Sequence, residues 1–324
     1  INLNNKVTCL LQLMLISFFI IMGFEGCEDK FEENPKYQRP DWLVGKIYSQ
    51  IEANDSLELF SNCIKDVGYD SIINKTGSYA AFIPHNDAMH EYLNKKEYES
   101  VSDIPYEEKL RLVKYHLVQM PWNNEQLRGL SAKGWINPED PSNDKPLAFK
   151  RQTLLKNENR SYPVLTRKEG LIVTETIVPE NQSNSYKTVY SNSRKYVPLF
   201  YDGYLNATNM SPGDYSFYFE RNYESGEIYY AGAKIVSNEI FSDNGFIYMV
   251  DEVVEPLNNA EELMDEGKGE NTYHIFRNLI YENSEFEFNS EATYNQEGAA
   301  KGYEVEELFD LNFPGIEFDI HQEL

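Results

Sequence analysis

The sequence predicts an α+β fold on three observations. Helical spacings of apolar residues crowd its first third, a buried-strand run interrupts them, and strand runs around a turn dipeptide close its later part. Its 324 residues are 41% hydrophobic, enough by length for about two domains with real cores.

The chain runs uncharged from Val7 to Phe24 behind Lys6. That pattern fits the apolar core of an export signal, and the stretch also just suffices for a permanent membrane helix. Cys27 closes Gly23-Phe24-Glu25-Gly26-Cys27, and residues 27–40 form an acidic linker through Glu28, Asp29, Glu32 and Glu33.

Pro40-Asp41 ahead of Trp42, Leu43, Ile47 and Ile51 predicts a helix capped by the Asp41 carboxylate. Leu57, Phe60, Ile64 and Val67 then share one helical face, and Gly68 ends that pattern. Cys63, beside Ile64, reads as a small buried hydrophobe. Tyr79-Ala80-Ala81-Phe82-Ile83 predicts a buried strand closed by Pro84. Asn86 and Asp87 then offer caps for a helix carrying Ala88, Met89, Tyr92 and Leu93 inward, and another helix runs from about Tyr106 through Leu110, Val113 and Leu117. Late in the chain, Ile240-Phe241 and the run Phe246 to Val250 flank Asn244-Gly245, a dipeptide suited to a type I′ hairpin turn.

Composition excludes several functions. Asp plus Glu number 53 against 29 Lys plus Arg, and the net charge of −24 argues against nucleic acid and anionic lipid as partners. Residues 1–26 carry one charge of each sign, Lys6 and Glu25, so the acidity belongs to residues 27–324. Cys9, Cys27 and Cys63 lie too far apart for a disulfide framework or a thiolate metal cluster. The histidines at 85, 90, 116, 274 and 321 have no zinc spacing, and no nucleophile elbow, Walker loop or dinucleotide fingerprint is present. No catalytic residue, metal or cofactor is predicted. A glycosidase carboxylate pair, defined in space and not in sequence, stays open as the weakest reading.

Residues 57 to 68 and then Gly77-Ser78-Tyr79-Ala80-Ala81-Phe82-Ile83-Pro84-His85-Asn86-Asp87-Ala88-Met89 resemble the first signature of fasciclin (FAS1) domains. Leu112-Val113-Lys114-Tyr115-His116-Leu117-Val118 resembles the second, and the run from Asn244 to Pro256 resembles the closing hairpin. This resemblance implies a FAS1-like β-sheet wedge with packed helices over 41–257, with Phe82, Leu117 and Ile247 meeting in one interior. His85 stands where the family commonly has a capping threonine, so the cap is expected to fall to Asn86. The span 119–243 is longer than a fasciclin domain needs and is expected to be a β-rich insertion, with strand pieces at Leu171 to Val178 and Tyr215 to Phe219. Residues 271 to 280 repeat the helix pattern of 57 to 67, so 258–324 is expected to begin a second, incomplete FAS1-like unit.

The segment ending at Cys27 resembles the acylation box of bacterial lipoproteins, with Gly26 fitting and Phe24 and Glu25 departing, and the acidic cluster resembles the surface-export signal of Bacteroidota lipoproteins. Together they imply a signal peptide over 1–26, lipidation of Cys27 and a place at the outer membrane facing the exterior. An uncleaved anchor helix is the alternative. Several acyl chains on one cysteine would anchor stably, because each buried methylene adds about 0.8 kcal/mol.

The function so implied is a non-enzymatic surface lipoprotein, a protein-interaction module and accessory subunit of a SusC/SusD-like nutrient-uptake complex. A stand-alone glycan-binding or cell-adhesion lipoprotein, with a polysaccharide as partner, is the rival. Tyr115 and His116 form the candidate adhesion pair by resemblance to animal relatives, or a structural pair if the imidazole is buried and hydrogen-bonds the backbone. Tyr196, Tyr201, Tyr204, Tyr215 and Tyr218 belong to a tyrosine-rich window of the insertion. They make a ligand or partner surface if exposed and ordinary sheet packing if buried.

Overall fold

The computed structural model describes residues 45–129 except 76, then 150–163, 167–168, 171–172, 186–266, 273, 276, 279–281, 284–296 and 305–314. The expected signal segment, Cys27, the acidic linker, Asp41, residues 173–178 and most of 271–280 lie outside them.

Four helices open the described chain: α1 (Ile47–Glu52), α2 (Glu58–Asp66), α3 (Tyr69–Lys75) and, after strand β1 (Tyr79–Pro84), α4 (Asn86–Lys95). Leu57, Phe60, Ile64 and Val67 are buried as their spacing requires, and Gly68 adopts φ of +71°. All of β1 is buried, because both of its faces are covered. Tyr79, Ala81 and Ile83 turn toward the helices, whereas Ala80 and Phe82 turn into a second core rich in tyrosine. Leu117 and Ile247 share the helical side and Phe82 lies on the other, so period-two alternation parts the three residues expected in one interior.

Helix α5 (Tyr106–Tyr115) stops before Leu117, which belongs to β2 (Leu117–Gln119) and pairs with Ala81 of β1. The predicted helix therefore runs too far into the next strand. His116 is its C-cap, and its N–H bonds the Leu112 carbonyl at 3.0 Å.

Beyond α6 (Asn124–Gly129) come β3 (Lys150–Lys156), β4 (Arg160–Pro163), the short pair β5 (Arg167–Lys168) and β6 (Leu171–Ile172), β7 (Tyr186–Val189) and β8 (Arg194–Phe200). Helices α7 (Asp202–Thr208) and α8 (Pro212–Phe219) come next, then β9 (Tyr229–Tyr230), β10 (Ala233–Lys234), β11 (Ile240–Ser242) and β12 (Gly245–Val250). The expected strand at Tyr215 to Phe219 is thus a helix. Ser211-Pro212-Gly213-Asp214 supplies a reciprocal capping box with proline in the first turn, a start signal that outweighs the strand propensity of the aromatics.

Strand β1 runs parallel to β12 and antiparallel to β2 within an eight-stranded sheet ordered β10-β9-β8-β3-β2-β1-β12-β11. The hairpin pairs Ser242 with Gly245, so its loop is Asp243-Asn244 and not Asn244-Gly245. Asn244 also serves a distant helix. Its Oδ1 accepts the N–H of Ile47 at 2.9 Å, capping α1, and its Nδ2 donates to the Ile73 carbonyl at 2.8 Å. Gly245, at φ of +145°, lies so close to β1 that a Cβ would sit 1.8 Å from the Tyr79 carbonyl oxygen.

A four-stranded sheet ordered β13-β14-β7-β4 combines the insertion with the chain beyond α9 (Ala260–Glu266), through β13 (Glu285–Phe288), α10 (Ser290–Tyr294) and β14 (Leu308–Asn312). β14 runs parallel to β7, with Leu308 opposite Thr188. No helix of the described residues is long and apolar enough to cross a membrane.

Candidate functional site

His85 and Asn86 exchange the roles that the sequence suggests. The His85 Nδ1 accepts the Ala88 N–H at 3.2 Å and caps α4, while the Asn86 Oδ1 accepts from Leu59 at 3.1 Å in the first turn of α2 and its Nδ2 donates to the Asp55 carbonyl at 2.8 Å. An imidazole nitrogen takes the place of a threonine hydroxyl, and the asparagine beside it is freed to fasten a second helix.

The tyrosine-histidine pair lies inside the molecule. Both residues are 0% exposed. The His116 Nδ1 donates to the Leu112 carbonyl at 2.8 Å, which leaves Nε2 to accept the Val254 N–H at 3.2 Å. Its ring packs 5.0 Å from Phe60 and 6.0 Å from Tyr230, and burial pushes its pKa down to about 4. The Tyr115 hydroxyl donates to the Tyr196 carbonyl at 3.1 Å and accepts from Leu257 at 3.4 Å. Together the pair straps residues 254–257 to the end of α5. A buried pair offers no surface to a partner, so the adhesion reading gives way to the structural one.

Most of the tyrosine window is also interior. Tyr201, Tyr204 and Tyr215 are buried, which removes them as a ligand or partner surface, and Tyr196 is half-buried on β8. Tyr215 sits among Phe200, Phe219, Tyr223 and Tyr229 and donates to the Ala231 and Gly232 carbonyls, both at 3.2 Å. Tyr218 alone of the five is exposed, at 70%, with Phe217 next to it at 80%. Their rings meet edge to face at 5.4 Å. The Ser211–Asp214 box at one end of α8 and the buried Tyr215 fix the pair in place.

A second feature escapes sequence reasoning altogether: a cleft of about 690 Å³ between the ends of β3, β7 and β8 and the segment 258–262. Lys195, 2% exposed, donates to the Leu257 carbonyl at 2.8 Å and to Glu262 Oε2 at 2.7 Å. Arg160 reaches Glu261 at 3.5 Å and Glu262 at 3.2 Å, and Arg111 pairs with Glu158 at 2.8 Å. Burial works to raise the Glu262 pKa, but the Lys195 hydrogen bond, the Asn259 N–H and the two cations prevail and hold it below the ordinary value. Glu261 is buried and accepts the hydroxyls of Tyr162, at 2.9 Å, and Tyr281. The Glu261-Glu262 dipeptide and Lys195 are scattered in sequence and meet only in the folded chain. Among the described residues no group of three His, Cys, Asp or Glu side chains is placed to hold a metal ion.

Helices, central strand and tyrosine-histidine pair come in the order of the fasciclin signatures. Residues 55–178 match the family model of the fasciclin domain. The fasciclin match spans α2 to β5 and β6 and includes both the strand-to-helix signature at β1 and the buried pair at 115–116. The described residues form an α+β structure in which helices pack against an eight-stranded sheet, and the fasciclin match falls on the part that holds β1 to β3 and the helices around them. Among solved structures it is similar to a FAS1 domain pair from the insect cell adhesion molecule fasciclin I, with 10% identity and a TM-score of 0.35 over 68% of this chain. It spans 53% of that structure's chain, about half its length. No curated protein matches the sequence.

Proposed function

We propose that this protein is a non-enzymatic interaction module that works outside the cytoplasm, tethered through an acylated Cys27 and engaging a protein partner through Phe217 and Tyr218. The exposed aromatic pair on the clamped helix α8 carries the reading. Aromatic side chains with few rotamers to lose are among the residue types that dominate protein interfaces. Phe217 and Tyr218 leave two adjoining rings open to solvent on a helix whose Tyr215 is buried, a small apolar face of the kind that partners cover. The fasciclin-domain match over residues 55–178 supports an adhesive or protein-binding class of role.

The finer form of this reading is an accessory subunit of a SusC/SusD-like transporter at the outer surface, which rests on the resemblance of residues 23–33 to exported lipoproteins. Capture of the intact protein from detergent-solubilised native membranes, with mass spectrometry of what accompanies it, tests both levels. A transporter that is retained by the wild type and lost by Phe217→Ala/Tyr218→Ala supports the full proposal; recovery of the lipoprotein alone counts against a stable partner.

A further inference from the structure

We propose that the cleft between β3, β7, β8 and the segment 258–262 is a binding site for a neutral oligosaccharide. The volume of about 690 Å³ falls in the range of small-molecule sites. Four cations and four anions line it, a formal balance of zero within a protein whose net charge is −24. Lys195 and Glu261 are buried behind the wall; among the other six charged groups an anionic ligand would meet carboxylates, a cationic one would meet basic groups, and an apolar one would strip water from them. A neutral polyhydroxylated ligand fits this lining, because each hydroxyl both donates and accepts and so answers alternating groups without a charge of its own.

The rim has the same character. The Ser191 and Ser193 hydroxyls lie 3.2 Å apart, and Asn157 Nδ2 donates to Ser193 Oγ at 2.8 Å. Tyr190, whose N–H donates to the Phe309 carbonyl at 2.8 Å, also lines the cleft and is a residue there whose ring could stack on the apolar face of a pyranose. The salt bridges of Lys195, Arg160 and Arg111 fix the directions of the polar edges in advance, so little ordering is left for binding to impose. None of the lining residues belongs to α8, so this site stands or falls separately from the Phe217–Tyr218 face.

Calorimetric titration of the full chain with malto-, cello-, manno- and xylo-hexaose, and in parallel with a heparin hexasaccharide and a chitosan hexamer, is the test. Asn192→Arg and Ser193→Arg, at exposed positions of the rim, each place a long charged side chain at the mouth without touching a core. At least one neutral hexaose should bind, both variants should weaken it by about tenfold or more, and Phe217→Ala/Tyr218→Ala should leave it unchanged. Failure of all four neutral sugars at millimolar concentration, preference for either charged sugar, or wild-type affinity in either rim variant would overturn the proposal.

Discussion

The Nε2 of His116 accepts the backbone N–H of Val254 across 138 residues of sequence, at 3.2 Å, while its Nδ1 holds the Leu112 carbonyl. The ring must stay neutral to do both, because protonated Nε2 would present a hydrogen to an N–H. The folded pKa of about 4 lies below the unfolded value of 6.5. Above pH 6.5 the stabilisation is fully present. As the pH falls toward 4 the unfolded chain binds a proton that the native state refuses, and stability drops by up to about 1.4 kcal/mol per pH unit. Urea denaturation between pH 7.5 and 4 should show this slope, and His116→Gln should flatten it by that amount while lowering stability at pH 7.5.

The contacts of Asn244 and Gly245 predict two distinct costs. Asn244→Ala removes the α1 cap and the bond to Ile73, for a loss of about 1–2 kcal/mol. Gly245→Ala places a methyl against the Tyr79 carbonyl in the central strand pair and should cost more than that, about 2–3 kcal/mol or outright misfolding. Equilibrium denaturation of the two variants checks the order.

Lys195 and Glu262 form the best-buried ion pair of the cleft. Glu262→Gln takes the carboxylate at 2.7 Å away from an ammonium that is 2% exposed, and the expected cost is about 3–5 kcal/mol. Lys195→Met/Glu262→Met removes both charges and should recover part of that loss. Hydrogen exchange should report the damage of the single variant first at α9, where Glu262 resides.

Cys63 is fully buried, and burial pushes its thiol up to about 12. At pH 8 it should resist a disulfide reagent in the folded protein and react at the rate of opening once denaturant is added.

Much of the fold is legible in the sequence because its signals are local. The Leu57-Phe60-Ile64-Val67 stripe, the Tyr79–Pro84 run and the inward residues of α4 each arise from spacing within one element. Caps supplied from afar are not legible: Asn86 serves α2 and Asn244 serves α1, each bonding a helix that neither adjoins in sequence. Helix α8 has its start written in Ser211-Pro212-Gly213-Asp214, yet the aromatic run after it favours a strand when weighed by propensity alone. The cleft has no signal at all, since Arg111, Arg160, Lys195 and Glu262 converge only when β14 pairs with β7 and the chain beyond 257 folds against the insertion.

Photo-crosslinking in native membranes, with a benzophenone amino acid at position 218 and in a second protein at the exposed Tyr106 on the helical side, tests the central claim most directly. A single membrane partner crosslinked from 218 and not from 106 is the predicted result. Equal labelling from both positions, or none from 218 while the protein remains membrane-bound, would contradict it.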